Sequence, residues 1–303
     1  MMPAIELLIS ENYRCGESPL WDSARQVLFF DDMNASRVFS FDRKTSQVRE
    51  LNTNGLNAAG MAFNHTGELV FAGTGGLCLW KETGEFRALI TEHDGEALNF
   101  NDILADPHGR LYAGTWYWGA EKYEKTGKLY LIETDGSIHV QDEGIELSNG
   151  LGLSPDARTL YYADSTARKI YAYDVDASTG VLSNRRVFVN VPHTEGMPDG
   201  LTVDADGYIW SAQWYGAQVV RYDPDGKVER RIEVPSAQVA SLAFGGLELD
   251  ELYITTAGED WLSVHVPPGY DASKAGLNGN IYRVKTDVRG RDEYTARFTW
   301  KEE

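Results

Sequence analysis

The sequence predicts an all-β protein, a six-bladed β-propeller around a central channel. The first observation is a repeated phrase of strand, turn and strand, which is clearest at residues 101–112, 149–162 and 198–210. The second is the spacing of the apolar residue that opens each second strand, here called the phase marker: Leu28, Leu69, Leu111, Leu160, Ile209 and Leu252. The intervals of 41, 42, 49, 49 and 43 residues are typical of four-stranded blades. Aromatic content of 12% and 30 glycines also suit a many-stranded, turn-rich protein.

Size and charge limit the classes of function. A chain of 303 residues can bury a sizeable core without disulfides or a structural metal, and the repeat favours a single domain over residues 1–303. The formal charge of −18 comes from scattered acidic residues, and such a surface repels phosphate backbones and anionic lipid. We therefore expect no nucleic-acid partner and no membrane partner.

The cysteines and the N-terminus favour a cytoplasmic protein. Cys15 and Cys78 fall in different blades without metal-type spacing, so a disulfide framework is not expected. Residues 1–10 lack a basic leader and a small-residue cleavage site, and no apolar stretch has the length of a membrane span.

The elements follow one another in the order that a closed ring requires. Residues 4–10 form a spare strand, which is expected to pair with the last blade, with companions in the C-terminal run 293–300. The six blades cover roughly 17–51, 55–92, 97–142, 147–191, 196–235 and 236 onward. Blade 1 has predicted strands at 27–31, 37–41 and 48–51, separated by short turns.

Two blades carry insertions that reach toward the channel. In blade 3 the extra residues follow Gly114-Thr115 and begin Trp116-Tyr117-Trp118, and three successive aromatic side chains cannot all face one core. This segment is interpreted as a lid or pocket wall, with packing on a neighbouring blade as the alternative. The insert 258–278 of blade 6 is also expected to overhang the channel.

Oxygen-bearing side chains recur at one position of the repeat. Glu17 and Asn149 lie 11 residues before their phase markers, and Asp199 lies 10 before its own. The other blades have Ala58, Asn101 and Ser241 at this position. In a propeller it is the start of the innermost strand, so these side chains are predicted to converge at the mouth of the channel. Individually, each has a plain alternative as a solvated carboxylate, a turn residue or a turn cap.

The chemistry of these groups points to a metal-binding channel. Two carboxylates and one amide carbonyl are hard oxygen donors, which favour one divalent cation, Ca²⁺ first, with Mg²⁺, Mn²⁺ or Zn²⁺ as alternatives. Three protein ligands leave coordination positions for water and substrate. The implied reaction is metal-assisted hydrolysis of an activated ester, with Asp199 also serving as the general base.

The motifs resemble one protein family over almost the whole chain. Residues 15–21 (CGESPLW), 99–102 (NFND), 113–115 (AGT), 148–151 (SNGL) and 198–200 (PDG) are similar to those of the regucalcin, gluconolactonase and luciferin-regenerating enzyme family. The resemblance implies a six-bladed propeller that hydrolyses sugar-acid lactones with one divalent cation. It implies Glu17, Asn149 and Asp199 as metal ligands, Asp199 as the base and Asn101 as a substrate contact.

One position departs from the family pattern. Sugar lactonases of this family commonly have arginine two residues before the substrate-contacting asparagine, whereas this chain has Asn99. An amide has fewer donors and no charge, which weakens a bidentate grip on sugar hydroxyls. Asn99, Asn101 and Trp116 are predicted to contact the substrate, a small-molecule lactone. Because Trp116 is aromatic, lactones that are less polar than sugar-acid lactones are also expected as substrates. Two alternatives stay open: phosphotriester hydrolysis at the same metal, and a non-enzymatic propeller that binds metal or a protein partner.

Overall fold

The computed structural model describes residues 4–117, 125–259, 265–270, 273 and 277–300. Within them the predicted all-β fold is confirmed: six four-stranded antiparallel sheets form the blades of a propeller. Among these residues no helix is both long enough and apolar enough to span a membrane.

The strands follow the predicted blade order, with one short extra hairpin before blade 3. In chain order they are β1 (Ile5–Ser10), β2 (Gly16–Asp22), β3 (Val27–Asp32), β4 (Arg37–Asp42), β5 (Gln47–Leu51), β6 (Gly60–Phe63), β7 (Leu69–Gly73), β8 (Gly76–Trp80), β9 (Phe86–Ile90), β10 (Glu92–His93), β11 (Glu96–Ala97), β12 (Phe100–Ala105), β13 (Leu111–Thr115), β14 (Gly127–Ile132), β15 (Ile138–Ile145), β16 (Ser148–Leu153), β17 (Thr159–Asp164), β18 (Lys169–Val175), β19 (Leu182–Asn190), β20 (Met197–Val203), β21 (Ile209–Trp214), β22 (Gln218–Tyr222), β23 (Val228–Glu233), β24 (Val239–Gly245), β25 (Glu251–Thr256) and β26 (Asn280–Lys285).

Asp-centred turns join the first and second strands of blades 3 and 5. In blade 5 the Asp204 Oδ1 atom accepts the backbone N–H groups of Asp206 and Tyr208, both at 3.0 Å. Asp106 holds the equivalent turn of blade 3 in the same way. Gly207 closes the blade-5 turn at φ +84°, a left-handed conformation that favours glycine. These turns fix the start of each second strand, which explains why the phase marker is so regular.

The N-terminal strand closes the ring. β1 pairs antiparallel with β26 and becomes the outermost strand of blade 6, as expected for its pairing with the last blade. The prediction that residues 293–300 pair with β1 was wrong. That run instead lies against blade 2, where Ala296 forms a parallel bridge with Asn64 and the Phe298 N–H donates to Asn64 Oδ1 at 2.9 Å. β1 thus takes the outermost place of blade 6 by itself, and the C-terminal run does not pair with it.

Apolar clusters lie between neighbouring blades, and one more lies at the mouth of the channel. The interblade clusters centre on large buried side chains such as Trp80, Tyr112, Tyr162, Trp210 and Tyr253. The cluster at the mouth, here called the mouth cluster, takes its buried residues from blades 1, 2, 4, 5 and 6: Cys15, Met33, Ala59, Leu147, Met197, Trp214, Tyr215, Ala240 and Ala257, with Trp116, Val266 and Tyr270 packed against it.

A buried ion pair anchors blade 5. Asp204 Oδ2 accepts from Arg221 Nε at 2.9 Å and Nη2 at 2.6 Å, and from Trp210 Nε1 at 2.8 Å. We expect Asp204→Ala to lower the free energy of unfolding by about 3–5 kcal/mol, because Arg221 would lose its buried partner and keep only the more exposed Glu229 and Asp206, at 3.2 and 3.8 Å. Urea unfolding measures this loss.

A matched control for this variant lies in the next turn of the same blade. Asp223 Oδ1 accepts the N–H groups of Asp225 and Lys227 in the same turn geometry, but at the surface and without a buried arginine. Asp223→Ala is expected to cost only about 1 kcal/mol. Equal losses in the two variants would contradict a special role for the buried pair.

Candidate active site

The three predicted ligand positions lie at irregularities of the innermost strands. The pairing register shifts between Glu17 and Leu20 in β2, between Ser148 and Leu151 in β16, and between Pro198 and Leu201 in β20. A β-bulge redirects side chains locally and is common beside active sites. The repeat therefore supplies the same local distortion in blades 1, 4 and 5, where the oxygen donors stand.

One cavity brings the predicted ligands together. It is lined by Glu17, Asn101, Asn149 and Asp199, together with Cys15, Met33, Leu147, Ser165, Met197 and Trp214. The polar members lie beside the apolar residues of the mouth cluster. Four of the six equivalent positions, Glu17, Asn101, Asn149 and Asp199, therefore reach one cavity, whereas Ala58 and Ser241 do not line it.

Glycines after two of the ligands let the inner strands approach closely. A Cβ atom on Gly150 would lie 2.7 Å from the Asp199 carbonyl oxygen, and one on Gly200 would lie 2.2 Å from Ser241 Oγ. Any larger residue would push blades 4, 5 and 6 apart at the axis. Asn149-Gly150, for which a turn was the alternative interpretation, lies within β16 instead.

Among the described residues, the site concentrates negative charge without a basic partner. Burial, followed by the charges of Glu17 and Asp102, raises the pKa of Asp199 well above its usual range. Burial and the Asp102 charge also raise the pKa of Glu17. In the described part of the chain, the groups that oppose these shifts are the backbone N–H groups of Ser18 and Gly200, and neither is cationic. Two carboxylates in this setting repel each other strongly.

The residues fit a hard divalent cation. Asp199 Oδ1 is buried and has no hydrogen-bond partner among the described residues. Asn149 Nδ2 donates to Ser165 Oγ at 3.1 Å, which leaves the Asn149 carbonyl oxygen as the ligand atom. No group of three His, Cys, Asp or Glu side chains in the described ranges is placed to hold a metal ion. The candidate set has two carboxylates and an amide, a donor set suited to Ca²⁺, Mg²⁺ or Mn²⁺.

The two asparagines of blade 3 have different surroundings. Asn101 lines the cavity, and its Nδ2 donates to the Ser148 carbonyl at 2.7 Å, so its Oδ1 is the atom that can face a ligand. Asn99, in contrast, accepts from Thr74 Oγ1 at 3.0 Å and donates to the Trp116 carbonyl at 3.2 Å. The oxygen and the nitrogen of the Asn99 amide are therefore both hydrogen-bonded to protein groups. The predicted contact of Asn99 with substrate stays a prediction.

The predicted lid lies partly outside the described residues. Trp118 and residues 119–124 fall there, as do residues 260–264, 271–272 and 274–276 of the blade-6 insert. Of the described residues, Trp116 packs against the mouth cluster but does not line the cavity, so its predicted substrate contact stays a prediction, whereas the Tyr117 ring lies 4.1 Å from Lys125 Nζ. Tyr270 of the insert contacts the Tyr215 ring edge-on at 5.1 Å.

Sequence reasoning missed most of the cavity wall, although the repeat contains it. Cys15, Leu147 and Met197 each stand two residues before a predicted ligand, and Met33, Ser165 and Trp214 each stand five residues after a phase marker. Asp102 was also missed, and its pKa is raised to about 7, chiefly by burial.

Comparison with known proteins identifies a matching family, a similar sequence and similar solved structures. Residues 15–258 match the family described as SMP-30/Gluconolactonase/LRE-like region. The chain is 34% identical over 289 residues to Pentonolactonase XacC of Haloferax volcanii, covering 95% of this chain and 97% of that protein. The solved luciferin-regenerating enzyme superposes with a TM-score of 0.88 at 27% identity, covering 97% and 99% of the two chains. The calcium-binding protein regucalcin of Agrobacterium tumefaciens superposes with a TM-score of 0.85 at 26% identity, covering 97% and 98%.

Proposed function

The chain belongs to the SMP-30/gluconolactonase/LRE-like family, and we propose from that premise that it is a divalent-cation-dependent lactonase. The observation that carries the proposal is the single cavity lined by Glu17, Asn149, Asp199 and Asn101, with the unpartnered Asp199 oxygen inside it. The pentonolactonase relative supports a lactone as the small-molecule substrate. The calcium-binding regucalcin neighbour supports Ca²⁺, with Mg²⁺, Mn²⁺ and Zn²⁺ as alternatives.

Different side chains of the cavity have different roles in the opening of the lactone ring. Glu17, Asn149 and Asp199 hold the cation, which supplies Lewis-acid polarisation of the lactone carbonyl when bound. Asp199 accepts a proton from the attacking water through its buried Oδ1 atom, which has no hydrogen-bond partner among the described residues. Asn101 accepts a hydrogen bond from a substrate hydroxyl through Oδ1, since its Nδ2 is held by Ser148. The apolar wall excludes bulk water and orients the ring.

The wall of the cavity favours lactones with an apolar substituent over polyhydroxylated ones. The polar groups of Asn99 already bind protein, Met33, Met197 and Trp214 line the cavity, and Trp116 packs against the mouth cluster that they belong to. An aromatic and aliphatic surface of this kind gains free energy from apolar contact and offers few donors to hydroxyl groups.

Hydrolysis of a lactone panel tests the proposal. Sugar-acid lactones, γ-lactones with alkyl or aryl substituents and an organophosphate triester are assayed with and without a chelator. We expect lactone turnover that disappears with the cation, and little triester turnover. Lactone hydrolysis that survives thorough removal of metal would contradict the mechanism, and triester turnover above lactone turnover would favour the phosphotriesterase alternative.

Trp116→Ala tests the preference for apolar substituents. We expect KM for a substituted γ-lactone to rise about 10–100-fold, because roughly 1–3 kcal/mol of apolar contact is lost. KM for the unsubstituted ring should change much less. Tyr117→Ala is the matched control, since the Tyr117 ring lies beside Lys125 and its hydroxyl donates to the Ala97 carbonyl. An equal change for both lactones in Trp116→Ala would contradict a specificity role.

A further inference from the structure

A buried aspartate stands beside the candidate site without an evident structural task. Asp31 in β3 is 1% exposed, and neither of its carboxylate oxygens has a hydrogen-bond partner among the described residues. The Ser18 hydroxyl lies nearby, but it donates its one proton to the Ala59 carbonyl at 2.5 Å. Burying a carboxylate without partners is costly, so a group of this kind calls for a compensating positive charge.

The register places Asp31 behind one of the proposed ligands. Asp31 is the cross-strand partner of Glu17 in the β2–β3 ladder, and paired residues of an antiparallel ladder direct their side chains to the same face. The neighbouring Asp32 has an ordinary role on the opposite face, where its carboxylate accepts the N–H groups of Arg14 and Cys15 at 3.0 and 2.9 Å. The two adjacent aspartates of β3 therefore have different surroundings.

The repeat shows that the position itself does not need a carboxylate. Asp31 stands three residues after the phase marker Leu28, and the same position in the other blades holds small residues: Ala72, Gly114, Ala163, Ala212 and Thr255. Each of these lies in the second strand of its blade, as Asp31 does. The fold accepts alanine there three times, so the aspartate is specific to the blade that carries Glu17.

We infer that Asp31 is a positioning residue of the proposed cation site, which adds negative charge behind Glu17 and so strengthens the binding of a divalent cation. It does not need to touch the cation, because a charge one strand further from the axis still acts through the poorly solvated interior. Outer groups of this kind commonly change metal affinity 10–100-fold. The inference rests on the proposed function, since it requires that Glu17 and Asp199 hold a cation.

Calorimetric titration of metal-stripped protein with Ca²⁺ tests the inference. We expect Asp31→Asn and Asp31→Ala to raise the Kd about 10–100-fold. Without metal, both variants should unfold at the wild-type temperature or above it, because an uncompensated buried charge has been removed. On addition of Ca²⁺, the unfolding temperature of both variants should rise less than that of the wild type. Asp32→Asn is the matched control: it should lower the unfolding temperature with and without Ca²⁺, and leave the Kd within about 3-fold.

The outcomes separate the two proposals. A Kd within about 3-fold of wild type in both Asp31 variants, or a loss of stability in the metal-free state with unchanged affinity, would overturn the role of Asp31 alone. Wild-type protein that binds neither Ca²⁺ nor, in the same titration, Mg²⁺, Mn²⁺ or Zn²⁺ would overturn the proposed cation site, and the inference with it.

Discussion

Complete removal of divalent cations is expected to lower lactone hydrolysis by about 10³-fold or more, which corresponds to roughly 4 kcal/mol of transition-state stabilisation. The reason is electrostatic. The cavity is lined by the buried Asp199 carboxylate and the partly buried Glu17 carboxylate, which no cationic side chain offsets in the described part of the chain, so without the metal it repels the negative charge that develops on the carbonyl oxygen. Activity is measured after dialysis against chelator and again after Ca²⁺, Mg²⁺, Mn²⁺ or Zn²⁺ is returned.

The Glu17→Gln variant tests whether the loss of activity on metal removal arises at this cavity. The amide keeps one oxygen donor but removes the charge, so we expect the half-saturating cation concentration to rise about 100-fold while kcat at saturation stays within about 10-fold. Glu11→Gln, in the exposed segment before the site, is the control and should behave as wild type. Unaltered cation dependence in Glu17→Gln would place the essential metal elsewhere in the protein.

The cation should also stabilise the fold. A ligand that binds only the folded state adds RT ln(1 + [L]/Kd) to the free energy of unfolding, about 2.7 kcal/mol at 100 times Kd. The ligand positions of blades 1, 4 and 5 contribute to one cavity, so a cation there would link strands β2, β16 and β20 around the axis. Thermal unfolding of metal-stripped and reloaded protein gives this increment independently of catalysis.

The periodicity of the sequence predicted the fold and the ligand positions because both are properties of the repeat. Leu28, Leu160 and Ile209 each open a second strand, and counting back from them finds Glu17, Asn149 and Asp199, which the structure brings to one cavity. The same counting would have found the apolar wall, because the wall residues occupy fixed offsets in the same three blades.

Other features depend on contacts between blades, which a repeat does not specify. The amide of Asn99 is occupied by Thr74 of the preceding blade and by the Trp116 backbone, and only the three-dimensional arrangement shows this. Asp31 looked like an ordinary strand residue, and only the three-dimensional arrangement shows that its carboxylate is buried without a hydrogen-bond partner among the described residues. The C-terminal run binds Asn64 of blade 2 because β1 already completes blade 6.

Asp199→Asn is expected to lower kcat/KM for a lactone by about 10³-fold or more, because Asp199 is proposed both to hold the cation and to accept the proton of the attacking water. The asparagine retains one carbonyl oxygen as a ligand, as Asn149 does, but it has no basic oxygen. This one variant therefore distinguishes the role of Asp199 as a cation ligand from its role as the base. Cation affinity is measured by calorimetry, and kcat is measured at cation concentrations that saturate the variant.

Residual activity at saturating cation decides between the roles of Asp199. If kcat stays about 10²–10⁴-fold low when the site is filled, the missing contribution is that of the base, which matches the usual size of general-base catalysis. Full recovery of kcat with excess cation would instead leave Asp199 as a ligand only and contradict its role as base. Ser241→Ala, a neutral change at the equivalent position of blade 6, should stay within about 3-fold of wild type, since Ser241 does not line the cavity that holds Asp199. A comparable loss in Ser241→Ala would mean that the channel packing between blades 5 and 6, where Gly200 approaches Ser241, controls activity and that the carboxylate does not.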